Sequence, residues 1–133
     1  MEIERWPSSG QGRSRSVAYG NVIWTVANAV DKSAGFEAQV IESLRMLESH
    51  LREAGSARTH LLSLQVILAD IGDRAAFDRI WQEWIGPDPR HWPQRACFQA
   101  VLAPGLLVEL VAVAARASTA GVDPIPAAQA ASR

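Results

Sequence analysis

Apolar and polar residues alternate in two short runs near the start of the chain, Ser16 to Tyr19 and Val22 to Val26. Alternation with a period of two is typical of β-strands that bury one face. Gly20-Asn21 lies between the runs, and this dipeptide favours a tight hairpin turn. The sequence therefore opens with a predicted β-hairpin.

Between Ser33 and Ala54 the apolar residues recur every three or four positions, while charged residues occupy most of the other positions. This period predicts an amphipathic helix with one buried face. Asp31 or Ser33 is the expected N-cap, and Gly55 is placed to end the helix.

The next apolar run, from His60 to Leu68, has no helical period and lies between turn residues, so we expect a mostly buried strand. A second amphipathic helix is predicted to follow, over the sequence RAAFDRIWQEWIG, with Asp73 as its cap. The segment Gly86-Pro87-Asp88-Pro89 should stop this helix.

Two further strands are predicted, from Arg95 to Leu102 and from Leu106 to Ala114, with a turn at Pro104-Gly105. The complete order is ββαβαββ. It indicates an α+β domain over residues 1–115, in which two helices cover one face of a single sheet. Residues 116–133 are rich in alanine, serine and proline without any period, and we expect a disordered tail.

Composition narrows the class of protein. Thirteen basic and fourteen acidic residues leave a net charge of −1, which argues against a nucleic-acid surface. We find no signal-peptide pattern at the start and no apolar run long enough to span a membrane. The single cysteine, Cys97, excludes an intramolecular disulfide framework. These features predict a soluble cytoplasmic protein.

The last two predicted strands carry only two charges, Arg95 and Glu109. We expect both on the sheet face away from the helices, which is otherwise apolar and should be covered by another subunit. If the last two strands formed a tight hairpin, Glu109 would lie opposite Ala100, five residues along the strand from Arg95. That separation is about 16 Å, which is too far for the two charges to touch. Either the strands are not neighbours, or the two charges approach one pocket from different places. A solvated or ion-paired Arg95 without any functional role is the structural alternative.

Several segments resemble one family. The run Pro93-Gln94-Arg95-Ala96-Cys97, the Pro104-Gly105 turn and Val108-Glu109-Leu110 resemble the C-terminal signature of the RidA/YjgF family. These proteins are reactive-intermediate deaminases, which older descriptions call endoribonuclease L-PSP. The resemblance extends over about residues 13 to 115 and includes Gln39 in the first helix. It implies a chorismate-mutase-like fold and a homotrimer with sites in the clefts between subunits.

The resemblance also implies a chemistry. Family enzymes hydrolyse enamines and imines such as 2-aminoacrylate to a keto acid and ammonia, without metal or cofactor. Arg95 matches the arginine that holds the substrate carboxylate, and Glu109 matches the glutamate that positions water. Main-chain groups of Cys97 would line the pocket, with its thiol as inert packing. Trp92, next to Pro93, is a further candidate for the pocket wall.

The sequence departs from the family at other site positions. Val26-Ala27-Asn28 replaces the usual Ser-Gly-Gln, so Val26 and Trp24 should make one end of the site bulkier and more apolar. Arg13 stands where the family has a tyrosine, and Asp78 where it has an asparagine. Arg13 and Arg15 are either a second cation in the site or solvated loop charges. A larger substrate, a diacid and a binding-only role all remain open.

Three functions are therefore considered. The first is a cofactor-independent enamine or imine deaminase. The second is a non-catalytic trimer that binds small carboxylates or protein partners. The third is a ribonuclease, which the balanced charge disfavours. The three histidines, at positions 50, 60 and 91, have no metal-ligand spacing with each other or with Cys97, so no metal site is expected.

Overall fold

The computed structural model describes residues 1–117, which form six strands and two α-helices. The elements in chain order are β1 (Ile3–Pro7), β2 (Ser14–Tyr19), β3 (Val22–Asn28), α1 (Phe36–Glu53), β4 (Leu61–Leu68), α2 (Arg74–Ile85), β5 (Gln94–Gln99) and β6 (Val108–Ala115). The predicted α+β class is confirmed. No helix among the described residues is long and apolar enough to cross a membrane.

One mixed sheet contains all six strands in the order β1-β2-β3-β6-β4-β5. Only the β4–β5 pair is parallel, and β6 lies antiparallel between β3 and β4. The tight hairpin considered for the last two strands is therefore not formed, because β4 separates them. The sequence pattern also missed β1, whose five residues are nearly all exposed and so show no apolar alternation.

Both helices pack on the same face of the sheet. Buried α1 residues such as Val40, Leu44 and Leu47 meet buried sheet residues such as Val66 and Leu110. The opposite face, which we call the open face, carries partly exposed apolar side chains, namely Tyr19, Trp24, Val26 and Phe98. A single chain leaves this apolar surface in contact with water.

The end of the described chain is fixed by Arg116. Its guanidinium donates hydrogen bonds to Glu4, to the carbonyl of Gly20 and to the carbonyl of Ala54, and the Ala117 amide donates to the Gly55 carbonyl. The fold thus continues two residues beyond the predicted boundary at 115. The rest of the predicted tail, residues 118–133, lies outside the described residues.

Gln39 is completely buried in α1 and connects that helix to the segment that leads into β6. Its Nε2 donates to the carbonyls of Ala34 and Gly105, and its Oε1 accepts from the Leu107 amide. Gly105 has φ of +82°, a backbone conformation that favours glycine. One amide side chain therefore satisfies three backbone groups and fixes where β6 begins.

Gln39→Met should keep the side-chain volume but leave those backbone groups without partners. We expect the free energy of unfolding to fall by about 2–4 kcal/mol, the cost of several unsatisfied buried groups, as measured by urea denaturation. Gln82→Met on the exposed side of α2 is the matched control and should change it by less than about 0.5 kcal/mol. Equal effects of the two substitutions would contradict this role of Gln39.

Candidate functional site

Arg95 lies on the helix face of the sheet, not on the open face where the strand pattern placed it. In the parallel β4–β5 register it pairs with Leu64, which is fully buried against the helices. The side chain is only 17% exposed, and its guanidinium carbon lies 5.5 Å from the Phe77 ring and 5.9 Å from the Trp81 ring. Aromatic faces stabilise the cation here and reduce the cost of removing it from water. The expected common face for Arg95 and Glu109 is therefore wrong.

Asp78 of α2 is the carboxylate that accompanies Arg95. Arg95 Nη2 and Asp78 Oδ1 are 2.7 Å apart and form an ion pair. Within residues 1–117 the Arg95 guanidinium has no other hydrogen-bonding partner, so most of its five N–H donors are unused. A nearly buried guanidinium with unused donors is suited to bind a carboxylate in bidentate geometry.

A cavity of about 720 Å³ opens beside this guanidinium, and we call it the arginine pocket. Its lining includes Asp78, Trp81, Ile85, Pro87, Trp92 and Arg95. Trp92 is half exposed, and its Nε1 donates to the Gly86 carbonyl at 2.9 Å, which holds the indole at the pocket edge. The lining is mostly apolar and contains one cation, Arg95, and two carboxylates, Asp78 and Glu83. Such a cavity suits a small organic molecule whose anionic group meets Arg95.

Glu109 lies in a different cavity, of about 650 Å³, which we call the glutamate pocket. The Glu109 side chain lies on the open face near the start of β6, and its Oε1 accepts a long hydrogen bond of 3.4 Å from Asn28 Nδ2. Val26 and Arg13 also line this pocket. The carboxylate is half-buried, with room beside it for water or a ligand.

The two pockets cannot serve one small molecule within a single chain. Glu109 lies opposite Ile67, Ile67 lies opposite Phe98, and Arg95 is three residues further along β5. Two strand spacings and three residues place the Cα atoms of Arg95 and Glu109 about 14 Å apart, on opposite faces of the sheet.

Comparisons with known proteins show which family the chain belongs to. The family model described as Endoribonuclease L-PSP matches residues 14–116. The chain belongs to the endoribonuclease L-PSP family. A RutC family protein of Haemophilus ducreyi is 32% identical over 106 residues, 77% of this chain and 89% of that one. Another from Haemophilus influenzae is 36% identical over 77 residues, 57% of this chain and 65% of that one.

Solved structures show the same family fold. A member of the YjgF protein family from Neisseria meningitidis superposes with a TM-score of 0.81 at 26% identity, covering 90% of this chain and 98% of that one. An uncharacterized protein from Pseudomonas aeruginosa superposes with a TM-score of 0.79 at 32% identity, covering 86% of this chain and 99% of that one. The resemblance expected from the Arg95 and Glu109 segments is therefore confirmed at the level of family and fold.

Three residues implied by the family resemblance lie outside both pockets. Trp24 stands on the open face and is 45% exposed, between Val17 and Val113. Ala27 is buried on the helix face, so its side chain belongs to the core and cannot form a pocket wall. Cys97 packs against the same core, and its thiol pKa is raised, mainly by burial. The thiol therefore stays protonated at neutral pH, which agrees with inert packing.

Sequence reasoning missed Asn28 and Lys32 in the glutamate pocket and Trp81 in the arginine pocket. In the sequence, Asn28 belongs to the replaced family segment and Trp81 to the predicted second helix, and neither position alone indicates a pocket. Lys32 offered one signal, since it is the only lysine in the chain. Among residues 1–117 no cluster of three or more histidine, cysteine or acidic side chains could hold a metal ion.

His50 of α1 also lines the glutamate pocket, but its side chain is buried. Its Nδ1 lies 3.1 Å from the Thr25 hydroxyl, which is 2.7 Å from the Ser16 hydroxyl. Burial is the main cause that lowers the His50 pKa, and the nearby Arg15 cation lowers it further. Glu53 opposes this shift with a smaller effect in the other direction.

The lowered pKa of His50 predicts a pH dependence of stability. Below about pH 6.5 the unfolded chain binds a proton that folded His50 does not, so the free energy of unfolding should fall as the pH drops toward the folded pKa. Denaturation of the wild type between pH 5 and pH 8 checks this, with His50→Gln expected to flatten the curve. His60→Gln, at an exposed position, should leave the curve unchanged. A wild type with constant stability over this range would contradict the prediction.

Asp78 predicts a second measurable effect, on anion affinity. Asp78→Asn keeps the side-chain shape but removes the negative charge beside Arg95, so pentanoate should bind about 5–20-fold more tightly in calorimetry. Asp73→Asn, at the start of α2, is the control and should leave the affinity unchanged. Weaker binding by Asp78→Asn would mean that Asp78 positions Arg95 for the ligand and does not compete with it.

Proposed function

We propose that this protein hydrolyses an enamine or imine of a carboxylic acid to the keto acid and ammonia, without a cofactor. The observation that carries the proposal is the Arg95 guanidinium, which is nearly buried against two aromatic rings and has only Asp78 as a polar partner within residues 1–117. It would hold the substrate carboxylate through two parallel N–H bonds.

Glu109 would carry the proton transfers. In the first step a water oxygen bonds to the imine carbon, the C=N electron pair moves to nitrogen, and Glu109 moves a proton from the oxygen to that nitrogen. In the second step the C–N bond breaks as the hydroxyl becomes a carbonyl, and the hydroxyl proton leaves with ammonia. Asn28, which contacts Glu109 Oε1, would orient the carboxylate.

The reaction requires two copies of the chain, because Arg95 and Glu109 lie on opposite faces about 14 Å apart. We propose a homotrimer in which the arginine pocket of one subunit meets the glutamate pocket of the next. Support comes from the apolar open face, where Trp24 and Phe98 are each more than two-fifths exposed. Burying such side chains in an interface is favourable.

A binding-only role is the second candidate, and one observation favours it. Asp78 places a negative charge 2.7 Å from the cation that should attract the substrate. A trimer that binds carboxylates without turnover would tolerate this arrangement. A ribonuclease is disfavoured, because most of the arginines that the structure describes pair with carboxylates and leave no basic stripe.

A mixing experiment tests catalysis and the shared site together. Arg95→Ala and Glu109→Gln should each lower hydrolysis of freshly generated 2-iminobutanoate by roughly 10²–10⁴-fold, followed by ammonia release. Unfolding and refolding the two variants together should restore about a quarter of wild-type activity, because random trimers pair an intact Arg95 with an intact Glu109 at that frequency.

Each outcome separates the alternatives. A mixture as inactive as either variant would contradict a site shared between subunits. Wild-type protein that binds carboxylates but releases no ammonia would support the binding-only role. Light scattering of the wild type should give about three times the 14.4 kDa chain mass, and a stable monomer would contradict the trimer.

A further inference from the structure

The glutamate pocket contains two cations that form no ion pair within residues 1–117. Arg13 and Lys32 both line it, and neither forms an ion pair with another residue of the described part of the chain. Arg15, in the same lining, differs because its guanidinium binds both oxygens of Glu53 at 2.6 and 2.7 Å. The charge of Arg15 is thus already compensated, while those of Arg13 and Lys32 are available to a ligand.

Close packing against glycines holds both segments in place. The Arg13 guanidinium packs directly over Gly10, where any side chain would collide with it. Lys32 packs over Gly105, where an added Cβ would lie 2.8 Å from the Lys32 carbonyl oxygen and 3.1 Å from its Cβ. Gly105 is itself fixed by the buried Gln39. The position of Lys32 is therefore tied to the core through one backbone contact.

The neighbouring carboxylates Asp31 and Glu42 do not line the glutamate pocket. Asp31 accepts bonds from the Ser33 amide and hydroxyl at 3.0 and 2.6 Å, and Glu42 accepts from the Val30 amide at 3.1 Å. Glu109 is the carboxylate in the lining itself, while Glu53, outside it, is paired with Arg15. Within the lining, two cations without an ion pair therefore face one carboxylate.

We infer that Arg13 and Lys32 form a second anion subsite, which selects a substrate with a second carboxylate. This inference rests on the proposed function: the first carboxylate binds Arg95, the reacting carbon lies near Glu109, and the distal carboxylate meets Arg13 and Lys32. The substrate class is then the enamine or imine of a dicarboxylic acid. Both cations are exposed, so their effect is moderate and weakens with salt.

Two unreactive five-carbon probes isolate the second carboxylate, because glutarate and pentanoate differ only in one terminal group. In low salt the wild-type protein should bind glutarate about tenfold more tightly than pentanoate in calorimetry. The double variant Arg13→Gln/Lys32→Gln should bind the two probes equally, with pentanoate affinity unchanged. Arg79→Gln, an exposed cation on α2 outside this pocket, should keep the preference.

A second measurement uses the wild type alone. Lys32 is the only lysine, so its acylation by a reagent such as acetic anhydride is read at one site by peptide mass spectrometry. Glutarate should slow this acylation, and pentanoate at equal occupancy should not. Equal protection by both probes, or equal affinity for both in the wild type, would overturn the subsite.

Failure of the subsite and failure of catalysis give different results. Ammonia release from 2-iminobutanoate without any preference for glutarate would leave the proposed reaction standing and reject the subsite. A glutarate preference that the double variant loses, without imine hydrolysis by the wild type, would support the subsite and reject the catalytic role.

Discussion

The pairing of β6 with both β3 and β4 is the constraint on which the rest of the structure depends. This strand occupies the centre of the sheet, and its alternation sends Val108 and Leu110 toward the helices and Glu109 toward the open face. The same insertion moves β5 to the sheet edge, beyond β4. The separation of the two charged groups therefore follows from the topology of the sheet.

The strength of each sequence signal explains how far the fold could be predicted. The apolar period of α1 and the turn at Gly20-Asn21 are local signals, and the elements that they predict are present. The expected N-cap of α1, Asp31 or Ser33, is wrong, because Gly35 is the N-cap and Asp31 instead accepts from the Ser33 amide in the preceding turn. Strand β1 has an exposed, charged sequence and is held in the sheet by its pairing with β2. No local pattern in the sequence predicts that pairing.

The site was harder to predict, for a physical reason that Arg95 illustrates. The sequence pattern assumed that an arginine would avoid the face covered by helices, because burying a guanidinium is costly. On the helix face of the edge strand, however, Asp78 of α2 pairs with the positive charge, and two aromatic rings of α2 pack against the guanidinium. The compensating groups lie 14 to 18 positions earlier in the chain, so only the tertiary structure reveals them.

Arg116 links the edge strand β1 to the end of β6 and to α1 in a way that affects local unfolding. As an edge strand with a single partner, β1 would ordinarily open without disturbing the rest of the domain. Arg116 binds Glu4 in β1 and the carbonyl that follows α1, so opening β1 also disrupts the end of β6 and the C-terminal end of that helix. The first strand is thereby drawn into the same cooperative unit as the central strand. Its backbone amides should be protected from hydrogen exchange more strongly than their exposure would suggest.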